Sequence, residues 1–121
     1  MKLIIENTLR VLDVQKKFNS TFPYLKIQLF KKPHTNSQGS PKNEMINETV
    51  SLSQLNHTNG AIEIDGEMTV QELESLFNNV FNLNVQVFRK SGKSWLETTI
   101  TDNWTLNKQN KEGEELSGIY N

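Results

Sequence analysis

The chain has 121 residues, 35% of them hydrophobic, a net charge of −1 and no cysteine. That length supports one domain with a substantial core, and the missing thiols exclude a disulfide framework and thiolate metal sites while suiting a reducing compartment. The opening apolar run MKLII is closed by Glu6 and no later run approaches a membrane span, so neither a signal peptide nor a membrane segment is expected and the chain reads as cytoplasmic.

Residues 2–6 read as a first strand. Val11, Val14, Phe18 and Phe22 then recur at helical spacing, a stripe that has to be buried. Arg10 and Asp13 occupy the cap positions of that helix, which makes its start poorly defined. Leu25, Ile27 and Leu29 alternate with Lys26, Gln28 and Phe30, the period of a strand with one face on a core.

The stretch 33–60 is irregular, with PHTNSQGSPKNE rich in turn formers and HTNG just before the next strand. Structureless connections beyond about 12–15 residues are uncommon in compact domains, so part of it is expected to fold. TVSLSQL at 49–55 is the candidate, as either a short strand or a helical turn.

Residues 61–90 repeat the pattern of 2–32. Leu3 and Ile5 fall on Ile62 and Ile64, Val11 on Val70, Phe18 on Phe77, Asn19 on Asn78 and Phe22 on Phe81. After one insertion at Pro23 or Tyr24, Leu25 falls on Leu83, Gln28 on Gln86, Phe30 on Phe88 and Lys32 on Lys90. The second helix, with Val70, Leu73, Phe77, Val80 and Phe81 on its stripe, has the better start, because Thr69 and Glu72 have capping-box spacing. Leu83, Val85 and Val87 then alternate as the next strand.

Ser91-Gly92-Lys93-Ser94 reads as a hairpin turn into a fifth strand, WLETTIT, with Leu96 and Ile100 on the core face and Trp95 on the opposite face near Phe88. TDNWTLNKQN is expected to form a turn and a short helix ending near 111, capped by Asp102 or Thr105. Residues 112–121 read as a mobile polar tail. Two βαβ units in one chain predict an α+β, ferredoxin-like βαββαβ sandwich: two helices on one face of a four-stranded antiparallel sheet, its second and fourth strands outermost, extended by the C-terminal strand and short helix.

The sheet face away from the helices then carries Gln28, Phe30, Gln86 and Phe88, with Lys26, Lys32, Arg89, Lys90 and Lys93 nearby. Aromatics with basic neighbours on a sheet are how several RNA-binding modules stack bases. Glu6, Glu63 and Asp65 on the two central strands would oppose phosphate on that face. Its alternative fate is to be covered, by the C-terminal segment with Trp95 and Trp104 or by a second subunit. The hairpin FRKSGKSW lacks the first glycine and the following helix of a phosphate loop, and charged turns at sheet edges also discourage unwanted pairing.

His34 and His57 have no second imidazole or thiol at ligand spacing, and the acidic run from Glu63 to Glu74 lacks the spacing of a calcium loop. Asp102 with Thr98, Thr99 and Thr101 has neither a base nor an activated nucleophile. No catalytic residue, metal or cofactor is therefore expected. Asn-x-Ser/Thr triplets at Asn19, Asn47, Asn56 and Asn103 are taken as chance in an asparagine-rich chain.

The segment VQVFRKSGKSWLETTITDNWTL, from Val85, resembles a motif of small uncharacterised bacterial proteins of the domain-of-unknown-function type. The resemblance implies no activity and no site residue. The reading from the residues is a non-catalytic binding or interaction domain whose partner is a second copy of itself, joined through the open sheet face or the fifth-strand edge. The rival readings are a nucleic-acid-binding module using Arg89, Lys90 and Lys93 with Trp95, Phe30 and Phe88, and, more weakly, an enzyme with its site at a subunit interface. Membrane partners are not expected.

Overall fold

The computed structural model describes residues 1–31 and 44–119, with residues 118 and 119 described for their backbone only. In chain order it contains β1 (Lys2–Ile5), α1 (Val11–Thr21), β2 (Leu25–Phe30), a 3-10 turn (Leu52–Gln54), β3 (Gly60–Glu63), α2 (Val70–Phe81), β4 (Asn84–Ser91), β5 (Ser94–Glu97) and α3 (Leu106–Ile119). Lys32, His34 and the turn-rich stretch up to residue 43 lie outside the described residues.

The helices start and stop for local reasons. The Thr69 hydroxyl accepts the backbone N–H of Glu72 at 3.1 Å, while at the weaker start of α1 the Asp13 carboxylate accepts the N–H of Arg10 at 2.8 Å. Asn82, in the left-handed conformation at φ 55°, ends α2 and turns its amide N–H back to the carbonyls of Asn78 and Phe77. The predicted stripes are the buried faces: Val11, Val14 and Phe18 on α1, and Val70, Leu73, Phe77 and Phe81 on α2, share one core with Leu3, Ile5, Ile27, Leu29, Val85 and Val87.

The strand order differs from the ferredoxin-like expectation. The class is α+β with two antiparallel sheets, one of β1 and β3 and the other in the order β2-β4-β5. β2 and β4, expected at opposite edges of a single sheet, are direct neighbours over six residue pairs from Leu25↔Arg89 to Phe30↔Asn84. Period-two alternation specifies which face of a strand is buried and is indifferent to which strand lies beside it. In the observed pairing Ile27 meets Val87 and Leu29 meets Val85 on the core face, so the apolar pattern is satisfied without β1 and β3 joining that sheet.

The register places equivalent positions of the two βαβ units opposite each other, Leu3 with Ile62 in one sheet and Gln28 with Gln86 in the other. Further backbone contacts come in matched pairs. The first free N–H groups of α1, at Val11 and Leu12, are taken by Val50 and Glu48, and those of α2, at Val70 and Gln71, by Trp104 and Asp102. Ile46 donates to Leu29 as Thr98 donates to Val87, and the bridge Arg10↔Ser51 matches Thr69↔Thr105. Correspondence therefore reaches segments, 44–52 and 96–106, in which no repeat was visible in the sequence.

Two further expectations are corrected. Leu96 and Ile100 do not enter the core, being 44% and 88% exposed. The C-terminal helix does not end near residue 111 but runs to Ile119. It passes through Gly113 because a Cβ there would lie 2.8 Å from Tyr24 Cβ and 3.1 Å from its carbonyl oxygen; the glycine admits a close approach that its poor helix propensity does not suggest. Of the two expected caps, Thr105 is the one used, its hydroxyl accepting the N–H of Lys108 at 3.1 Å.

Candidate functional site at the β5 hairpin

The hairpin between β4 and β5 turns on Gly92, at φ 59°. A glycine in that conformation at the first central position is what a two-residue type II′ connection needs. The turn sets the pairing Lys90↔Trp95 and Phe88↔Glu97 on the outer face of the sheet, and Arg89↔Leu96 on the inner face.

On the outer face the register gathers a compact aromatic and cationic group. The Lys26 ammonium lies 5.0 Å from the Trp95 ring centre and 5.9 Å from that of Phe88, and the Lys90 ammonium 6.0 Å from Trp95. Partial burial of Lys26 pushes its pKa below the usual lysine range, an effect opposed by the nearby Glu48 carboxylate. A cleft of about 250 Å³ opens beside the group, between Lys26, Gln28 and Trp95 on the sheet side, Gln15, Lys16 and Asn19 of α1, and Glu48.

The amides of that cleft are held in place. Gln15 Nε2 donates to the Ile27 carbonyl at 2.9 Å and to Gln28 Oε1 at 3.0 Å, and Asn19 Nδ2 donates to the Leu25 carbonyl at 2.8 Å. These bonds saturate part of the free edge of β2. They engage Gln28 through Oε1 and Asn19 through Nδ2, which leaves Gln28 Nε2 and Asn19 Oδ1 as the amide atoms available to a ligand. Sequence reasoning overlooked Gln15, Lys16, Asn19 and Glu48; the available signal was the i, i+4 spacing of Gln15 and Asn19 beside the apolar stripe of α1.

The residues grouped as a nucleic-acid surface are divided. Trp95, Phe88 and Lys90 are together on the outer face, and Lys93 is exposed at the turn. Phe30 is only 2% exposed and cannot stack on a ligand. Arg89 points to the opposite face, beneath α3: its Nη1 donates to Gln109 Oε1 at 2.8 Å and its guanidinium carbon lies 5.6 Å from the Trp104 ring centre. Trp104 also carries Lys108 at 4.1 Å, so the two tryptophans serve different faces. Glu63, expected to oppose phosphate on the aromatic face, belongs to the other sheet, with its carboxylate 3.9 Å from the N-terminal ammonium.

β5 is also an edge. Thr98 N–H, like the hairpin-closing groups of Ser94, turns toward β4, so by alternation the backbone groups of Trp95 and Glu97 face outward. Ile4, Leu96 and Ile100 are the exposed large apolar residues among the described residues, and two of the three lie on β5 or just after it. Among the same residues no cluster of three or more His, Asp or Glu side chains is placed to hold a metal ion, and no helix is long and apolar enough to cross a membrane.

Comparison with family models, with curated proteins and with solved structures finds no match to this chain.

Proposed function

We propose that this is a small non-catalytic interaction domain that assembles with a second copy of itself along β5. The observation that carries the reading is the outer edge of β5, unpaired among the described residues and flanked by Leu96 and Ile100 at 44% and 88% exposure. A face-to-face dimer through the outer sheet surface has less support, since Phe30 and Gln86 there are already buried.

An antiparallel pairing of two β5 strands about a two-fold axis has few charge-compatible registers. With Trp95 on the axis, outward-facing groups meet outward-facing groups, and Lys93 of each copy stands opposite Glu97 of the other. Sliding one strand by two residues loses both Lys93–Glu97 pairs, and sliding it by four puts Glu97 against Glu97, which like-charge repulsion disfavours. The first register joins two three-stranded sheets into one of six strands and closes as a symmetric dimer, leaving no edge at that seam. The matched contacts of the two βαβ units also support an origin by internal duplication.

The test is light scattering on purified protein over a concentration series, with charge exchange. The wild type is expected to dimerise, Lys93→Glu and Glu97→Lys each to shift it to monomer, and the double exchange to restore the dimer. A wild type monomeric at every concentration overturns the reading. A dimer indifferent to all three variants overturns the β5 register.

A further inference from the structure

The cleft beside Trp95 lies within one chain, between α1, β2 and the outer face of β5. Its lining combines groups that ordinarily serve separate ends. Trp95 supplies an aromatic wall, Gln28 Nε2 and the ammonium groups of Lys16 and Lys26 supply donors, and Asn19 Oδ1 and the Glu48 carboxylate supply acceptors. Lys90 extends the positive rim along β4, 6.0 Å from the Trp95 ring centre.

Each candidate ligand class meets this lining differently. A cation is disfavoured by like-charge repulsion from Lys16 and Lys26, which line the cleft. A simple anion leaves Asn19 Oδ1 and Glu48 facing an acceptor. A neutral sugar fits the amides and the indole but gains nothing from Lys16, Lys26 and Lys90. A planar heterocycle with donors and acceptors on its edge, joined to a phosphate, uses all of them.

We infer that the cleft receives an unpaired nucleotide of a single-stranded nucleic acid, with the base against Trp95 and its edge toward Gln28, Asn19 and Glu48. The phosphates lie toward Lys16 and Lys90. Aromatic stacking with flanking cations is the general means of holding single strands, and side-chain amides read exposed base edges. Arg89 and Phe30 take no part.

The experiment uses Trp104→Phe, which leaves Trp95 as the sole tryptophan, titrated with unlabelled ten-nucleotide homopolymers of RNA and DNA and with a neutral oligosaccharide. Saturable quenching by the oligonucleotides is expected. With two phosphate contacts, a fourfold rise in salt should weaken binding by about sevenfold. On labelled oligonucleotide, followed by anisotropy, Trp95→Leu should lose roughly five- to 150-fold in affinity. Glu48→Gln should change the ranking of the four homopolymers with the salt dependence kept, and Lys16→Gln should flatten the salt dependence. Circular dichroism establishes that each variant is folded. Absence of oligonucleotide binding by folded protein, salt-independent quenching, or quenching by the oligosaccharide alone overturns the inference. Light scattering of the same samples reports the β5 dimer separately, so either proposal can fail alone.

Discussion

Helices α2 and α3 both pack on β4, and they are held there by different means. α2 contributes Val70, Leu73, Phe77 and Phe81, all buried in the common core, with Phe77 and Phe81 ring centres 5.4 Å apart in an edge-to-face contact. α3 contributes Leu106 and then Gln109, Gly113 and Ser117. Beyond its first residue it is anchored by polar contacts: Gln109 to Arg89 and Thr101, and Asn110 to the N–H of Tyr24. Apolar burial is non-directional and tolerates small shifts, whereas these bonds hold only at a single placement of the helix. The first helix therefore carries stability, and the second fixes the inner face of β4 at little gain in apolar burial.

The largest effect that sharpens this contrast is truncation within α2. Phe77→Ala should cost about 3–5 kcal/mol, the usual loss for a fully buried phenylalanine. Phe77 is 0% exposed and touches the core from the middle of its helix, so denaturant melts should show one cooperative transition moved to lower midpoint. A change under about 1 kcal/mol would mean that the core collapses around the vacancy or that α2 is not its centre.

A smaller effect of different character is expected in α3. In an exposed helix, glycine to alanine gains about 1 kcal/mol. At Gly113 the added Cβ would meet Tyr24 backbone and Cβ at 3.1 and 2.8 Å, and overpacking of that kind costs about 1–3 kcal/mol. Gly113→Ala should therefore lower stability, or leave it level, where propensity alone predicts a gain. Hydrogen exchange is the sensitive readout: amides from 110 to 117 should lose protection while those of α2 keep theirs. Equal loss in both helices would show that α3 is integral to the core.

The same contrast explains what was legible. The stripes of α1 and α2, the Thr69–Glu72 cap, the Gly92 hairpin and the position of Trp95 beside Phe88 follow from local spacing, and the structure contains them. The pairing of β2 with β4 is non-local, and alternation is silent about neighbours. The length of α3 was hidden because its buried face is Gln109, Gly113 and Ser117, which in a sequence look like an exposed surface or a breaker. Of the candidate site, Trp95, Phe88 and Lys90 were legible on one strand hairpin. Gln15, Asn19 and Glu48 reach the cleft from other elements, and Arg89 was misplaced because the hydrogen bond to Gln109 that draws it under α3 depends on a helix not foreseen at that length.

Buried amides make the finest comparison, since Gln86 and Gln109 are both 0% exposed and only one is satisfied. Gln109 bonds at both ends of its amide, to Arg89, Thr101 O and Thr101 Oγ1. Gln86 donates to the Val87 carbonyl at 3.2 Å, while its own Oε1 has no partner among the described residues. An unpaired buried acceptor carries a desolvation cost of about 1–3 kcal/mol, and the Val87 carbonyl is separately served by the Thr98 hydroxyl at 2.9 Å. Gln86→Met keeps the shape and removes the orphan, so it should leave stability level or raise it by about 1 kcal/mol. Gln86 also faces Gln28 at the centre of the β2–β4 register. A clear loss of stability would show that this amide pair orders the strands, and that the register is held by polar contact as well as by the apolar face beneath it.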